Sequence, residues 1–389
     1  MHPEQPSSNS TQIMSLGYIY HRLGRTCTLL GLGVVFVVFF EVVYKTSRKI
    51  SISLAETVAV ARTTQYPLCT LDAHARNSLF VKASSCPQQP WLKHYWDSHL
   101  GSNKSAGSPF VVFDVGANKG YFTGEILRTF FPGSYDYLPS RILRTSLRMG
   151  CGGRANIGRG DTQAGYNLSS CCGACRECTT TDPIQDIART NEIAGTLIVH
   201  LFEPSQNNFK ILSMVYQKLQ QLGVAVLHNA AVSNFTGKGY FPDTKPGYEK
   251  GSLDVTSTKR AIRINVFTLD HLLQTSGLSY ANVVKIDAEG YDPAVLQGAQ
   301  RCIAQGTCPV ICFEIDMKLG WYISNSPESL LLMFERLQYE CFLEGKLRLL
   351  RLSKCHMHAI ELHKMSWLNV VCAHRLSQGW LSLQQYVHF

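Results

Sequence analysis

The stretch FVVFDVGANKGYFT, at residues 110–123, decides the fold of this chain. An apolar run, residues 110–113, ends at Asp114, and the turn GANKG follows it. A short, continuous apolar run is typical of a strand that is buried on both faces, as in a parallel sheet. The residues after the turn, about 121–131, have the spacing of an amphipathic helix. The stretch therefore predicts a strand, a tight turn and a helix.

The turn has the features of a nucleotide-type binding site. Gly116 and Gly120 let the backbone bend sharply and approach a ligand, because glycine has no Cβ. The helix start offers free N–H groups and a partial positive charge. The G-x-N-x-G spacing lacks the G-x-G-x-x-G fingerprint of dinucleotide sites. It suits S-adenosylmethionine, whose amino group can meet Asp114 or a carbonyl, and Asn118 is a further candidate contact. The alternative is a purely structural turn.

Four later segments continue the pattern of apolar runs that end in polar residues. They read IVHLFEP (198–204), LHNAAVS (227–233), VVKIDAEGYDP (283–293) and VICFEID (310–316). Strands that alternate with helices indicate a doubly wound, mostly parallel sheet. The expected fold class is therefore α/β and Rossmann-like. A hairpin is expected from residues 237–241 and 262–266, and further strands after residue 340 are expected to complete the far edge of the sheet.

The ordered motifs DVGANxG, FEP, NAAVS, TLD and KIDAEG resemble those of the FkbM family of S-adenosylmethionine-dependent methyltransferases. The resemblance covers about residues 110–131 and 196–373. It implies a class I methyltransferase fold, S-adenosylmethionine as cofactor and O-methylation, often of a sugar or a secondary metabolite. The chain departs from the family at about residues 133–195. Roughly 60 residues are inserted there, since the acid after the second strand usually follows the glycine turn by about 20 residues.

Polar residues at the strand ends are the candidate cofactor contacts. Glu203, at the end of the second strand, is expected to accept hydrogen bonds from both ribose hydroxyls. The resemblance implies that Asn229, or the backbone of Ala230, lies near the adenine. Asp287, after the fourth strand, is expected to face the amino group of the cofactor or the acceptor.

Three residues of KIDAEG are candidates for catalysis. Period-2 alternation puts Lys285, Asp287 and Glu289 on one side if the strand extends that far. An alcohol acceptor must lose its proton, and each of the three is a candidate base. The alternatives are that the acids cap the following helix or bind a divalent cation, although nothing else in the sequence indicates a metal. Glu314 and Asp316, after the fifth strand, could bind acceptor hydroxyls.

Composition limits the classes of partner. The chain has 389 residues and a net charge of +9, and its basic residues form no block with interleaved aromatics. Nucleic acid is therefore not an expected partner. The content of 14 cysteines favours a secretory compartment, where some would be paired.

The N-terminal part predicts a membrane anchor. Residues 1–25 are polar and are expected to be disordered. Residues 26–44 form an apolar run that, as a helix, would span about 28 Å, close to the bilayer core. A signal peptide and a buried helix are the alternatives. Residues 45–109 read as a stem and linker, and residues 110–389 as the catalytic domain. Sequons after the span and the cysteines favour a single-pass protein with a lumenal domain in the Golgi or endoplasmic reticulum, acting on a small-molecule or glycan acceptor.

The insertion ends in a cysteine cluster made up of Cys171, Cys172, Cys175 and Cys178, with Cys151 upstream. Thiolates at this spacing could bind zinc or an iron–sulfur cluster. Disulfides that clamp a surface loop are the interpretation that suits a lumenal domain.

Two other functions fit parts of the sequence. A nicotinamide-dependent sugar oxidoreductase could use the same sheet, although the G-x-G-x-x-G fingerprint is missing. A non-catalytic cofactor-binding module is the second alternative, and the intact turn, Glu203 and Asp287 argue against a decayed site.

Overall fold

The computed structural model describes residues 88–102, 108–135, 138–151, 171, 193–251, 253, 261–316, 327–353 and 367–388. Every described residue lies in one compact unit, within residues 66–389. The predicted tail, the predicted anchor at residues 26–44 and most of the predicted stem lie outside the described residues. Within the described part of the chain, no helix is both long and apolar enough to cross a membrane.

Helices and strands alternate along most of the described chain. The helices are α1 (Pro90–Ser102), α2 (Tyr121–Phe130), α3 (Leu138–Arg148), α4 (Gln206–Gln221), α5 (Leu269–Thr275), α6 (Asp292–Gln297), α7 (Gln300–Ala304), α8 (Pro327–Arg336) and α9 (Gln378–Gln384). The strands are β1 (Phe110–Val115), β2 (Leu197–Phe202), β3 (Ala225–His228), β4 (Ala230–Val232), β5 (Gly237–Pro242), β6 (Ala261–Phe267), β7 (Val283–Ile286), β8 (Val310–Asp316), β9 (Tyr339–Glu344), β10 (Leu349–Arg351), β11 (Trp367–His374) and β12 (Val387–His388).

The main sheet has nine strands in the order β12-β10-β9-β11-β8-β7-β1-β2-β3. Strands β8, β7, β1, β2 and β3 pair in parallel, whereas β11 pairs antiparallel with both β8 and β9. This arrangement confirms the predicted mostly parallel sheet and its completion at the far edge. The chain leaves β1 toward β2 and later returns to the other side of β1 as β7. The switch point, where such sheets bind ligands, therefore lies between β1 and β7.

Two apolar cores cover the two faces of the sheet. Phe110 and Val112 belong to the core that includes α1, α2, α4 and α9, and Val111 and Phe113 belong to the core under α5 to α8. Alternate residues of a strand point to opposite faces, so a strand covered on both sides is apolar throughout. All six residues of β1 are buried.

Helix α1, which lies in the predicted stem, packs into the first core. The ring of Trp96 stacks on that of Phe130 with 4.5 Å between centroids. Trp91 donates a hydrogen bond from Nε1 to Glu344 Oε1 at 3.0 Å. Both tryptophans are almost fully buried. The compact domain therefore begins before residue 110.

A small second sheet, β4-β6-β5, stands beside the switch point. Strands β5 and β6 pair antiparallel, which confirms the predicted hairpin. Phe241, Leu253 and Ile264 form a separate small core with it. The described part of the connection between β5 and β6 thereby lies next to the carboxyl ends of β1 and β2.

Three disulfides join described cysteines: Cys151–Cys171, Cys302–Cys308 and Cys341–Cys372. The first joins the upstream Cys151 to Cys171 of the insertion's cysteine cluster, and confirms the disulfide interpretation for these two residues. The other three members of the cluster, Cys172, Cys175 and Cys178, lie outside the described residues. The described residues contain no group of three or more His, Cys, Asp or Glu side chains suited to a metal ion.

Candidate active site

The glycine turn lies at the switch point, against the end of β7. Gly116 has a φ of 74°, and its N–H, like that of Ala117, donates to the carbonyl oxygen of Phe202. A Cβ built on Gly116 would lie 1.9 Å from the carbonyl oxygen of Asp287. Glycine is thus required at this position both by the backbone conformation and by the close approach of the next strand end.

Glu203 is held by backbone N–H groups at the end of β2. The Asn118 N–H donates to Glu203 Oε2 and the Ser205 N–H donates to Oε1, each at 2.8 Å. Burial raises the pKa of Glu203 to about 7, although both hydrogen bonds and the charges of Lys285 and Lys119 act to lower it. The carboxylate is therefore fixed in place with lone pairs that remain available for a ligand.

A cleft opens above these residues. Its polar lining includes Asn118, Glu203, Asn208, Glu249, Asp287 and Glu289, and its apolar lining includes Val115, Phe202, Pro204, Ala230, Ala231, Val232, Phe241, Leu253 and Tyr291. The apolar residues of the lining suit an aromatic base, and the polar residues suit cations or hydroxyl groups.

Lys285 links the two strand ends under the cleft. Its Nζ lies 3.1 Å from Asp287 Oδ2 and 3.6 Å from Asp114 Oδ1, and it donates to the carbonyl oxygen of Gly116 at 3.3 Å. Burial lowers the pKa of Lys285, but Asp287 and Asp114 outweigh this effect and raise the pKa above its usual value. The ammonium group therefore stays protonated and neutralises the acids around it.

Glu289 lies in the turn between β7 and α6. Strand β7 ends at Ile286, and the chain then turns through Glu289 with a φ of 51° and Gly290 with a φ of 90°. Burial raises the pKa of Glu289 to about 7, and the charges of Asp287, Glu249 and Asp292 add to this effect. A carboxyl group with such a pKa can accept a proton near neutral pH.

Asp292 supports this turn, and Glu314 lies beside it in β8. Asp292 Oδ2 accepts from the Ala288 N–H at 3.2 Å, and Asp292 Oδ1 accepts from the Glu314 N–H at 3.0 Å. Burial raises the pKa of Asp292 to about 6 and that of Glu314 to about 9. Asp292 therefore joins the turn before α6 to strand β8, and the N-cap of α6 makes no side-chain cap hydrogen bond.

The structure brings together some of the candidate residues and separates others. Gly116, Asn118, Glu203, Asp287 and Glu289 line the cleft. Lys285 and Asn229 do not line it. Two further candidates also lie elsewhere: Asp114 is fully buried and accepts from Thr123 Oγ1 at 2.7 Å, and Gly120 packs against the ring of Tyr216.

Two motif residues shape the backbone. Asn229 Nδ2 donates to the carbonyl oxygens of Glu203 and Pro204, so this side chain braces the turn while the next residue, Ala230, lines the cleft. Asp270, in TLD, accepts from the N–H groups of Arg301 and Cys302 at the start of α7.

Sequence reasoning missed one wall of the cleft. Residues 243–251, called the strap below, follow β5 and lie against the glycine turn and α4. Tyr248 and Glu249 of the strap line the cleft, and Asn208 of α4 lines it as well. The Lys119 ammonium group pairs with Glu249 Oε1 at 2.5 Å. The only sequence signal for this wall was the presence of a lysine, Lys119, inside the GANKG turn.

Comparison with known proteins identifies the family that the motifs resemble. Residues 172–341 match the model of the Methyltransferase FkbM domain, which confirms the resemblance. The match covers less than half of the chain and begins after the glycine turn. No curated protein matches the chain.

Two solved structures are distantly similar. An FkbM methyltransferase from Methylobacillus flagellatus KT is 12% identical with a TM-score of 0.35, over 69% of this chain and 44% of that one. The chain thus spans less than half the length of that protein. An O-methyltransferase from Bacillus cereus, crystallised with SAH, is 11% identical with a TM-score of 0.28, over 82% of this chain and 96% of that one. Both TM-scores are low, so neither similarity bears on the chemistry of this chain.

Proposed function

We propose that this chain, which resembles the FkbM methyltransferases, transfers the methyl group of S-adenosylmethionine to a hydroxyl oxygen. The observation that carries the proposal is the position of Glu203. Glu203 directly follows β2, and it lines the cleft beside the glycine turn. The N–H groups of Asn118 and Ser205 fix its carboxylate. A carboxylate at this point of a doubly wound sheet accepts hydrogen bonds from ribose hydroxyls.

The charge of the cleft supports a cationic cofactor. Among the described residues that line it, the charged side chains are all acidic: Glu203, Glu249, Asp287 and Glu289. The two nearby cations, Lys119 and Lys285, are already paired with carboxylates. Such a lining attracts a sulfonium ion and disfavours the pyrophosphate of a dinucleotide. This argues against the nicotinamide-dependent alternative.

Glu289 is the residue that we assign as the general base. S-adenosylmethionine supplies an electrophilic methyl group when it is bound. The acceptor oxygen would form the new bond to this carbon as the carbon–sulfur bond breaks, and the Glu289 carboxylate would take up the hydroxyl proton. The raised pKa of Glu289, about 7, suits this transfer. Lys285 is held protonated by its two acids, so we assign it to charge neutralisation.

Asp287 is the residue that we assign to positioning of the reacting groups. Its N–H donates to the carbonyl oxygen of Val115 and its side chain pairs with Lys285, so it is fixed from two sides at the switch point. In-line methyl displacement depends largely on orientation. A contact from Asp287 to the amino group of the cofactor would hold the methyl group in the required orientation.

A lumenal location and a glycan acceptor complete the proposal. The three disulfides among the described residues are typical of proteins from oxidising compartments. This supports a domain in the lumen of the Golgi or endoplasmic reticulum, with the apolar residues 26–44 as the membrane anchor. The family resemblance supports a hydroxyl of a sugar as the acceptor. Alkaline carbonate extraction tests the anchor: the full chain should stay in the membrane pellet, and a chain lacking residues 26–44 should not.

Calorimetric titration tests the cofactor. We expect the protein to bind S-adenosylmethionine and S-adenosylhomocysteine and not NAD, and we expect Glu203→Gln to lose this binding. Glu328→Gln, which changes an exposed acid on α8, is the matched control and should bind as the wild type does. A folded wild type that binds NAD instead would establish the oxidoreductase alternative. Cofactor binding without turnover over a wide acceptor panel would favour a non-catalytic module.

A further inference from the structure

We propose that Lys119 and the Cys151–Cys171 disulfide are positioning groups that hold the strap, residues 243–251, as a wall of the cofactor cleft. Cofactor affinity would then depend on both. The inference rests on the proposed function, because it concerns the same cleft. It assigns a role to a lysine and to an insertion that the chemistry of methyl transfer does not use.

Lys119 is a buried cation whose described hydrogen-bond and ion-pair partners lie on the strap. Its side chain is 0% exposed, and its Nζ donates to the carbonyl oxygen of Gly247 at 3.2 Å and pairs with Glu249. A buried ammonium group is costly unless it is paired and hydrogen-bonded. Lys119 therefore favours the conformation in which the strap lies against the glycine turn.

Helix α4 fixes the same backbone through Asn208. The side-chain oxygen of Asn208 accepts from the Gly247 N–H at 2.7 Å, and its Nδ2 donates to the carbonyl oxygen of Tyr248 at 2.9 Å. Asn207 Nδ2 donates to the carbonyl oxygen of Thr244 at 2.7 Å, and the Ser205 hydroxyl hydrogen-bonds the Thr244 hydroxyl at 2.9 Å. The backbone of the strap is thus bonded along its length to the element that follows Glu203.

The insertion supports the strap from another side. Gly247 has a φ of 80°, and a Cβ built on it would lie 2.0 Å from Cys151 Sγ. The disulfide therefore packs directly against the strap at the residue that Lys119 and Asn208 both bond. Tyr121, the first residue of α2, donates from its hydroxyl to the carbonyl oxygen of Cys171 at 3.0 Å, which ties the disulfide to the end of the glycine turn.

The strap presents Tyr248, Glu249 and Gly251 to the cleft. A displacement of its backbone would move the acid that stands opposite Asp287 and Glu289 and would open the cleft to water. The proposed coupling would run from the Cys151–Cys171 disulfide through Gly247 to the cleft. A contact that holds a binding wall in place contributes to affinity by pre-organisation.

The test measures the affinity of the full-length protein, in mild detergent, for S-adenosylhomocysteine by calorimetry. The variants are Lys119→Met and the pair Cys151→Ala/Cys171→Ala. The controls are Lys93→Met, which removes an exposed lysine from an ion pair on α1, and Cys302→Ala/Cys308→Ala, which removes a disulfide outside the cleft lining. We expect each of the two variants to weaken binding by about tenfold, as is common for coupled sites, and the controls to change it little.

The combined variant and the unfolding curve separate positioning from general stability. If both groups act through the strap, the losses should be less than multiplicative in the combined variant. Binding is compared far below the urea midpoint of each variant, where all the protein is folded. Wild-type affinity in a folded Lys119→Met protein would overturn the proposal, and if that variant does not fold, wild-type affinity in Cys151→Ala/Cys171→Ala would overturn it. A wild type that binds no S-adenosylhomocysteine would instead refute the methyltransferase function.

Discussion

Gly116 touches the backbone of Asp287, 171 positions later in the chain, so closely that a Cβ on Gly116 would lie 1.9 Å from the Asp287 carbonyl oxygen. The Asp287 N–H in turn donates to the carbonyl oxygen of Val115. The ends of β1 and β7 therefore form one rigid floor under the cleft. The ends of β1 and β7 can lie this close together only because residue 116 has no side chain.

The first prediction concerns that spacing. Gly116→Ala should destabilise the domain more than Gly277→Ala, because Gly277 also has a positive φ, 69°, but has nothing within 4 Å of the added Cβ. We expect Gly277→Ala to cost about 1–2 kcal/mol from backbone conformation alone. Gly116→Ala should cost about 1–3 kcal/mol more, from overpacking, and should abolish binding of S-adenosylhomocysteine. Urea unfolding and calorimetry measure the two effects, and equal costs for both variants would contradict the proposed close contact.

Much of this floor could be predicted from sequence because its signals are local. The apolar run before Asp114, the glycines of GANKG and the apolar run before Asp287 each mark a strand end within a few residues. The parallel order then follows from the alternation of strands and helices. The hairpin of β5 and β6 was predictable for the same reason, since alternating apolar residues flank a polar connection.

The wall opposite the floor could not be predicted because it depends on contacts between distant residues. Lys119 meets Glu249 across 130 positions, and Asn208 reaches the backbone of Gly247. Neither pairing has a local signature, and the strap reads as an ordinary polar loop. The full burial of Asp114 and its ion pair with Lys285, 171 positions later, likewise have no local signature in the sequence.

The second prediction concerns proton release on cofactor binding. Glu203 and Glu289 each have a pKa of about 7 because they are buried, so both are partly protonated at neutral pH. A sulfonium ion in the cleft should favour the ionised forms and lower both pKa values, and protons should then leave on binding. The charge of Lys285 already lowers the pKa of Glu289, whereas the charges of Asp287, Glu249 and Asp292 raise it.

Calorimetry at pH 7 in two buffers of different ionisation enthalpy measures the protons released. We expect release with S-adenosylmethionine, less release with the uncharged thioether S-adenosylhomocysteine, and a smaller number in Glu289→Gln. Affinity for S-adenosylmethionine should rise with pH through about 7 and level off where both acids are ionised. Equal release by Glu289→Gln and the wild type would exclude Glu289 from the titrating groups.

The third prediction concerns the place of α1 in the domain. Trp96 is 2% exposed and contacts Phe110, Phe130 and Phe131, whereas Leu100 on the same helix is 41% exposed. Trp96→Ala should cost about 3–5 kcal/mol of the free energy of unfolding, because it leaves a large cavity in the core. Leu100→Ala should cost less than about 0.5 kcal/mol. A small effect of Trp96→Ala would mean that α1 is only a stem and that the domain begins at β1.

The fourth prediction compares two disulfides by the length of chain that each closes. Cys341–Cys372 joins β9 to β11 across a separation of 31 residues, and Cys302–Cys308 closes a separation of 6. All four residues are buried, so Ala replacements remove similar packing from each site. The loss of unfolded-state entropy on cross-linking grows with the logarithm of loop length. Removal of Cys341–Cys372 should therefore cost about 4 kcal/mol, and removal of Cys302–Cys308 about 2 kcal/mol.

Urea unfolding of the two double variants, Cys341→Ala/Cys372→Ala and Cys302→Ala/Cys308→Ala, measures the difference. The reverse order would show that native-state packing, and not the unfolded chain, governs what these bonds contribute.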